Sequence, residues 1–290
     1  MPPMGDGDVV QLPDGRRLGY AEFGVADGQA CFYFHGHPGS RLEARFAESA
    51  ATAAGVRLVA LDRPGYGRSD FVAGRTILDW PADVAAAADL LGIDRFLVVG
   101  GSGGGPYALA CAYTMPERVV RAGVISGVGP HNVKGIAKGM RWQNRVGFRW
   151  GARWPVLARV LMRSMERGIR ERPDRTLDAL VKAMSPEDAA IAQRPRVREL
   201  LGDIIAEAFR QGSAGAAWDV VLLGRPWGFS LREIRPTVYL WQGEADVLVP
   251  PGMGRYQAEQ IPDCRAHFFP GEGHLLVIDH VDEVIDALRG

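Results

Sequence analysis

The sequence predicts an α/β protein, a mostly parallel sheet flanked by helices, with a helical segment inserted between two of its strands. Short apolar runs bounded by Gly or Pro alternate with helical patterns as far as Ser126, and again from Thr237 onward. Between about Pro130 and Phe229 the apolar spacing is helical throughout. One strand also runs straight into a glycine-rich turn and a helix, the kind of junction that carries chemistry at the edge of a parallel sheet.

Taken in order, residues 1–9 mix acidic residues, prolines and glycines and read as a short frayed tail. Two short strands, Arg17–Phe23 and Ala30–Phe34, follow around a turn containing Gly24, Asp27 and Gly28, a hairpin-like opening. Then come a helix (Leu42–Ala54), a strand (Val56–Leu61), a helix (Ile77–Leu91), a strand (Phe96–Val99), a helix (Gly104–Tyr113) and a strand (Val119–Ser126). Apolar strands this short, alternating with helices, suit a parallel sheet buried on both faces. After the insertion a strand (Thr237–Gln242), a helix (Met253–Ile261), a strand (Arg265–Phe269) and a helix (His280–Leu288) complete the sheet. Residues 1–129 and 230–290 are therefore assigned to one core, and residues 130–229 to the insertion.

With 290 residues, 47% of them hydrophobic, the chain can fill one sizeable core. Thirty-four Lys and Arg balance thirty-four Asp and Glu, so no global field favours nucleic acid. No apolar run approaches the ~20 residues of a membrane-spanning helix, and no stable membrane insertion is expected. The start of the chain has neither the basic residues nor the apolar stretch of a secretory signal, so a soluble, cytoplasmic protein is expected. Cys31, Cys111 and Cys264 are far apart and form no CxxC or Cys/His cluster. They read as buried reduced thiols, with no metal site and no cofactor implied.

Chemistry enters with Gly100-Gly101-Ser102-Gly103-Gly104, which fits G-x-S-x-G between a strand and a helix. A serine in so tight a turn leaves no room for side chains at Gly100 and Gly104. It also aims the N-terminus of the next helix at the hydroxyl, so the Gly103 N–H can face a developing oxyanion. Nucleotide-binding readings of the glycines fail. Gly103-x-Gly105-x-x-Ala108 only loosely matches a dinucleotide fingerprint, and the next strand ends in Ser126-Gly127 with no acid to hold a ribose. No Lys-Ser or Lys-Thr follows to make a phosphate loop.

A serine needs a base, and the base needs an orienting acid. His274, in the loop Gly271-Glu272-Gly273-His274 after the last strand, can reach the carboxyl edge where Ser102 emerges. His267 lies inside a strand, while His131 and His280 begin helical segments. Asp246, after the strand ending near Gln242, is the candidate acid, with Glu244 the nearer but weaker alternative. The order Ser, Asp, His is that of one fold in particular.

His35-Gly36-His37-Pro38-Gly39, Asp62-Arg63-Pro64-Gly65-Tyr66-Gly67-Arg68-Ser69, Gly100-x-Ser102-x-Gly104, Gly243-x-x-Asp246 and Gly273-His274 together resemble the α/β-hydrolase superfamily. The closest resemblance is to its esterase, C–C hydrolase and haloperoxidase-like branches. It covers nearly the whole chain apart from the tail and insertion, and implies an eight-stranded sheet with the insertion as a helical lid. It also implies that the backbone N–H of His37 is the second oxyanion donor beside Gly103. Relatives carry an aromatic or apolar residue at the His37 position, so this histidine is a departure whose side chain either touches substrate or faces solvent. His35 is expected to tie loops together or to border the pocket, and Asp62–Ser69 to fix a sharp turn. Epoxide hydrolases and haloalkane dehalogenases attack through an aspartate, so Ser102 excludes both activities.

Within the insertion Arg141, Arg145, Arg149 and Arg153 recur every four residues, and Trp142, Val146, Trp150 and Trp154 run one residue behind them. This predicts an amphipathic helix over about 137–154, broken by Pro155, with a second amphipathic segment from Val156 to Ile169. The plain expectation is that the tryptophans pack onto the core and the arginines face water. The sharper expectation is an aromatic-lined substrate pocket that includes Trp142, Trp150 and Trp227, with a basic mouth for an anionic substrate. A basic amphipathic helix can also lie on a membrane, but the adjacent stripes and Pro155 favour a packed lid.

The expected activity is hydrolysis of a carboxylic ester, or a related acyl bond, in a small to medium hydrophobic substrate. C–C bond hydrolysis, lactone opening or perhydrolysis on the same triad is the alternative, as is a slow ligand-sensing or biosynthetic member of the fold. The sequence specifies no oligomeric state.

Overall fold

A computed structural model describes residues 5–290. Eight strands form one sheet: β1 (Gly5–Gln11), β2 (Arg17–Gly24), β3 (Gln29–Phe34), β4 (Val56–Leu61), β5 (Phe96–Gly101), β6 (Val119–Ile125), β7 (Thr237–Gly243) and β8 (Cys264–Phe269). Their spatial order is β1-β2-β4-β3-β5-β6-β7-β8, parallel from β4 to β8 and antiparallel at β1–β2 and β2–β4.

Alternation along the strands divides the core in two. Phe32, Phe34, Val59, Leu61, Phe96 and Val98 point to one face, where they meet α2 (Trp80–Leu90) and α3 (Gly105–Thr114). Cys31, Leu58, Ala60, Leu97, Val99 and Trp241 point to the other, under α1 (Glu48–Ala53) and the C-terminal helix (Val277–Arg289).

Two expectations for the N-terminal region are corrected. Residues 5–9 of the supposed tail belong to β1, where Val9 and Val10 pair with Gly19 and Leu18; residues 1–4 lie outside the described residues. The hairpin is therefore β1–β2. β2 and β3 do not pair, because β4 lies between them. The link from β2 to β3 crosses the start of β4, where Val25 N donates to Val56 O and Gln29 N to Gly55 O. A Cβ on Gly24 would stand 2.2 Å from Val56 O, and φ there is +83°, so glycine fits the crossing on both counts.

Between β6 and β7 the chain forms six helices: α4 (Trp142–Arg153), α5 (Pro155–Glu171), α6 (Pro173–Lys182), α7 (Pro186–Ala192), α8 (Pro195–Ala208) and α9 (Ala214–Leu223). Pro155 does end the preceding helix, but it also starts the next. Pro173, Pro186 and Pro195 likewise open their helices, where a missing N–H costs nothing. The helix expected from residue 137 begins at Trp142. After β7 come α10 (Pro251–Gln260), β8 and α11 (Val277–Arg289). Among the described residues no helix is long and apolar enough to cross a membrane. Cys31 and Cys111 are buried and Cys264 half-buried; all three are free, and desolvation pushes their thiols up, Cys31 to about 12 and Cys264 to about 11.

Candidate active site

The candidate residues all leave the sheet at the carboxyl ends of neighbouring parallel strands: His35–His37 after β3, Ser102 after β5, Asp246 after β7 and His274 after β8. Ser102 has φ +51°, a left-handed conformation rare for a residue with a side chain. Neither glycine beside it can be replaced without collision. A Cβ on Gly100 would lie 2.3 Å from Gly104 O, and one on Gly104 would lie 2.0 Å from Phe34 O.

His274 Nδ1–H donates to Asp246 Oδ2 at 2.7 Å. Asp246 is itself fixed: its Oδ1 accepts from the backbone N–H groups of Leu248 and Val249, both at 2.8 Å, and Gln242 Nε2 donates to Oδ2 at 3.3 Å. With Nδ1 carrying the proton, Nε2 is left as the basic nitrogen. Burial by itself would lower the His274 pKa, but the facing Asp246 carboxylate outweighs it, with help from Asp188 and Glu43, and the imidazole is raised above its usual value. Glu244, the alternative acid, pairs instead with Arg255 at a part-exposed position.

The loop after β3 is oriented through its carbonyls. The Gly36 carbonyl oxygen accepts from Arg63 Nη2 at 2.9 Å and from His35 Nδ1–H at 2.8 Å. The peptide is planar and trans, so holding that oxygen turns the His37 N–H the opposite way. There it meets the nucleophile turn, since a Cβ on Gly103 would lie 3.3 Å from His37 N and 2.7 Å from His37 Cβ. The His37–Pro38 peptide is cis.

His35 is fully buried, with Nε2 accepting from Arg63 N at 3.2 Å. It is a loop tie rather than a pocket wall, and burial holds its pKa well below the usual value. The His37 side chain, half-buried, donates from Nδ1 to Tyr66 Oη at 2.9 Å while that hydroxyl donates to Asp219 at 3.1 Å. The Asp62–Ser69 segment makes the expected sharp turn, closed by Ser69 N to Tyr66 O and held by Asp62, which accepts from Arg41 N and Arg68 N.

The tryptophans are not where a pocket needs them. Trp142 and Trp150 are 65% and 50% exposed. α4 turns Phe148 and Gly151 inward, Gly151 close against Val220 of α9, and this leaves the tryptophan stripe outside. Trp227 is buried in the core against Phe229. The aliphatic side chain that approaches the serine turn is Leu223, 3.2 Å from the Cβ position of Gly103; the ring of Phe148 lies 6.3 Å from that of His37 and stacks on that of His131 at 5.2 Å.

Four polar residues were missed in the sequence, and two of them, Asp188 and Asp219, act across a long chain separation. Asp188 of α7 accepts from His274 N at 2.8 Å and Leu275 N at 2.7 Å, so the insertion grips the histidine loop. Asp219 of α9 is fully buried and accepts from Arg63 Nε, Arg75 Nη2, Tyr66 Oη and Tyr107 Oη. Burial would raise its pKa, but Arg75 and Arg63 hold it far below the carboxylate range. Glu43 accepts from Tyr33 Oη at 2.5 Å and Gly36 N at 2.9 Å, and desolvation raises its pKa. His131 does not begin a helix; it lies in the turn after β6, with a buried Nε2 that has no partner among the described residues. Its position after the carboxyl end of a strand was the one signal available for it. No group of three or more His, Cys, Asp or Glu among the described residues could hold a metal.

A mostly parallel eight-stranded sheet with a strained serine turn after its central strand is the architecture of an α/β hydrolase. Residues 31–287 match the Alpha/beta hydrolase family, and the chain belongs to it. It is 35% identical over 128 residues to a non-heme chloroperoxidase of Streptomyces lividans, covering 43% of this chain and 46% of that one. It is 34% identical over 113 residues to a proline iminopeptidase of Neisseria gonorrhoeae, covering 38% and 36%. The aligned part thus spans less than half the length of these relatives. Among solved structures, a thermophilic esterase from Thermogutta terrifontis shares the fold, with TM-score 0.71 and 20% identity over 98% of this chain and 97% of that one.

Proposed function

We propose that the protein hydrolyses carboxylic esters of small to medium hydrophobic substrates through an acyl-enzyme on Ser102. The observation that carries this reading is the 2.7 Å His274–Asp246 hydrogen bond at the same sheet edge as a serine held at φ +51°. In this mechanism His274 Nε2 takes the Ser102 hydroxyl proton as the oxygen attacks the substrate carbonyl carbon. Asp246 stabilises the imidazolium that forms. The backbone N–H groups of His37 and Gly103 hold the oxyanion, and His274 then protonates the departing alkoxide. Water, deprotonated by the same nitrogen, hydrolyses the acyl-enzyme. Phe148 and Leu223 give the acyl side an apolar wall, and His131 Nε2 gives it a polar contact.

Turnover of a p-nitrophenyl ester and labelling by a fluorophosphonate test the reading. Both are expected in the native protein, and Ser102→Ala should lose both, the first by about 10⁴-fold or more. Hydrolysis that persists in that variant would overturn the assignment.

A further inference from the structure

We propose that the outer face of α4 and α5 adsorbs to anionic phospholipid bilayers. Trp142, Trp150 and Trp154 are 65%, 50% and 53% exposed, and Val156, Val160 and Leu161 are 70%, 61% and 47% exposed. Of the eleven large hydrophobic side chains exposed among the described residues, eight lie between Trp142 and Leu161. They form one strip, because Leu161 Cδ2 reaches 3.9 Å from the Cβ position of Gly147 and so joins the two helices along this face. The inward faces are occupied by other residues: Phe148 and Gly151 on α4, Ala158 and Met162 on α5. An apolar patch this continuous marks an interaction surface rather than ordinary scatter.

Its charge identifies the occupant. The forty-eight residues from Arg118 to Met165 contain ten Lys and Arg and no Asp or Glu, while the other 242 residues carry twenty-four basic against thirty-four acidic side chains. Arg145, Arg149 and Arg153 rise between the tryptophans, and Arg159 and Arg163 flank the valines. Among the described residues no carboxylate pairs with any of these five, whereas Arg167 and Arg170 farther along α5 pair with Glu171 and Glu166. Beside the strip a groove of about 630 Å³ between α5 and α9 is lined by Arg159, Arg163, Arg167 and Arg170 against two carboxylates, Glu166 and Glu171. Guanidinium forks bind phosphate oxygens in pairs. Indole rings settle at the level of lipid headgroups, and arginine stems lie along apolar surface while their charged ends reach phosphate. A two-fold contact with a second copy would instead set one arginine row against the other.

Flotation of the full chain with extruded vesicles tests this. The protein should float with phosphatidylcholine vesicles containing about one third phosphatidylglycerol and bind about tenfold or more weakly to phosphatidylcholine alone. Tryptophan emission should shift to the blue on binding, and added NaCl should release the protein, while millimolar inorganic phosphate at constant ionic strength should not. The double variant Val156→Asp/Val160→Asp should lose flotation with an unchanged unfolding midpoint. If it fails to fold, Arg145→Ser/Arg149→Ser supplies the same test through charge. Equal binding to neutral and anionic vesicles, no flotation with either, or flotation undiminished in folded variants would overturn the proposal. So would release by phosphate alone, or a concentration-dependent dimer that the double variant abolishes while the native protein fails to float.

Discussion

At the scale of residues, the three positions read from motif spacing, Ser102, Asp246 and His274, all follow the carboxyl ends of parallel strands, and local chemistry dictates their pattern. A serine between glycines, an acid after a late strand and a histidine after the last strand are each short-range signals. Asp246→Asn puts an amide where His274 needs an acceptor and favours the wrong tautomer, so kcat is expected to fall by about 10⁴-fold. On the proposed mechanism, activity on a soluble ester requires neutral His274. Its pKa is raised in the fold, so kcat/KM should climb with pH through a midpoint above the ordinary imidazole value of ~6.5. That midpoint should move down in the asparagine variant, and a pH–rate profile of both proteins checks it. Asp188 and Asp219 escaped the sequence because nothing near them in the chain announces their partners. Asp188 lies 86 residues from the backbone it holds, and Asp219 lies 156 from Arg63.

At the scale of elements, the alternation of strands and helices was legible wherever both faces of the sheet are buried. It failed at the N-terminal edge, where β1 has the composition of a tail and its pairing with β2 makes it a strand. It failed again on α4, because bulkiness was read as inwardness, whereas Phe148 and Gly151 take the inward face. α7 is short, yet its Asp188 satisfies two backbone N–H groups of the histidine loop. Asp188→Ala strands both, and the loss expected in chemical unfolding is about 2–4 kcal/mol. Part of that loss should return in Asp188→Asn, which keeps an acceptor. In the alanine variant kcat for a soluble ester should fall with KM little changed, since the loop that carries the base is loosened while the acyl wall is intact.

At the scale of the molecule, three imidazoles near the site are kept neutral by burial. His37 and His131 are lowered to about 4, and His35 well below its usual value. A group whose pKa is depressed by folding stabilises the native state above its unfolded pKa, and that stability is lost as pH falls through the folded value. Thermal unfolding midpoints should therefore drop between about pH 6.5 and about pH 4. His131→Phe should make that drop shallower across the whole interval. His274 has the opposite sign: its raised pKa contributes stability below about pH 6.5 that fades as pH rises through the folded value. The same buried polar layer predicts the effect of Asp219→Ala. It leaves Arg63 and Arg75 as unpaired interior charges, and the expected cost is about 3–5 kcal/mol, measured by denaturant titration.

The inserted helices are also unequal in what it would take to move them. α7, α8 and α9 are each tied by a carboxylate to the segments that follow the strands, through Asp188 to the His274 loop, Glu207 to Arg41 and Asp219 to Arg63. Shifting any of them strips hydrogen bonds or ion pairs from groups that have no water to replace them. α4 and α5 rest on apolar side chains and on three arginine-to-carbonyl bonds, from Arg141 to Met184, from Arg225 to Ala152 and from Arg170 to Phe209. Tilting that pair away from the rest breaks those bonds to neutral carbonyls and uncovers apolar surface, at about 25 cal/mol for each Å², but it strips no buried carboxylate of its partners. The inserted segment therefore has a stiff wall and a softer door, and the softer door is the part that carries the outward tryptophans.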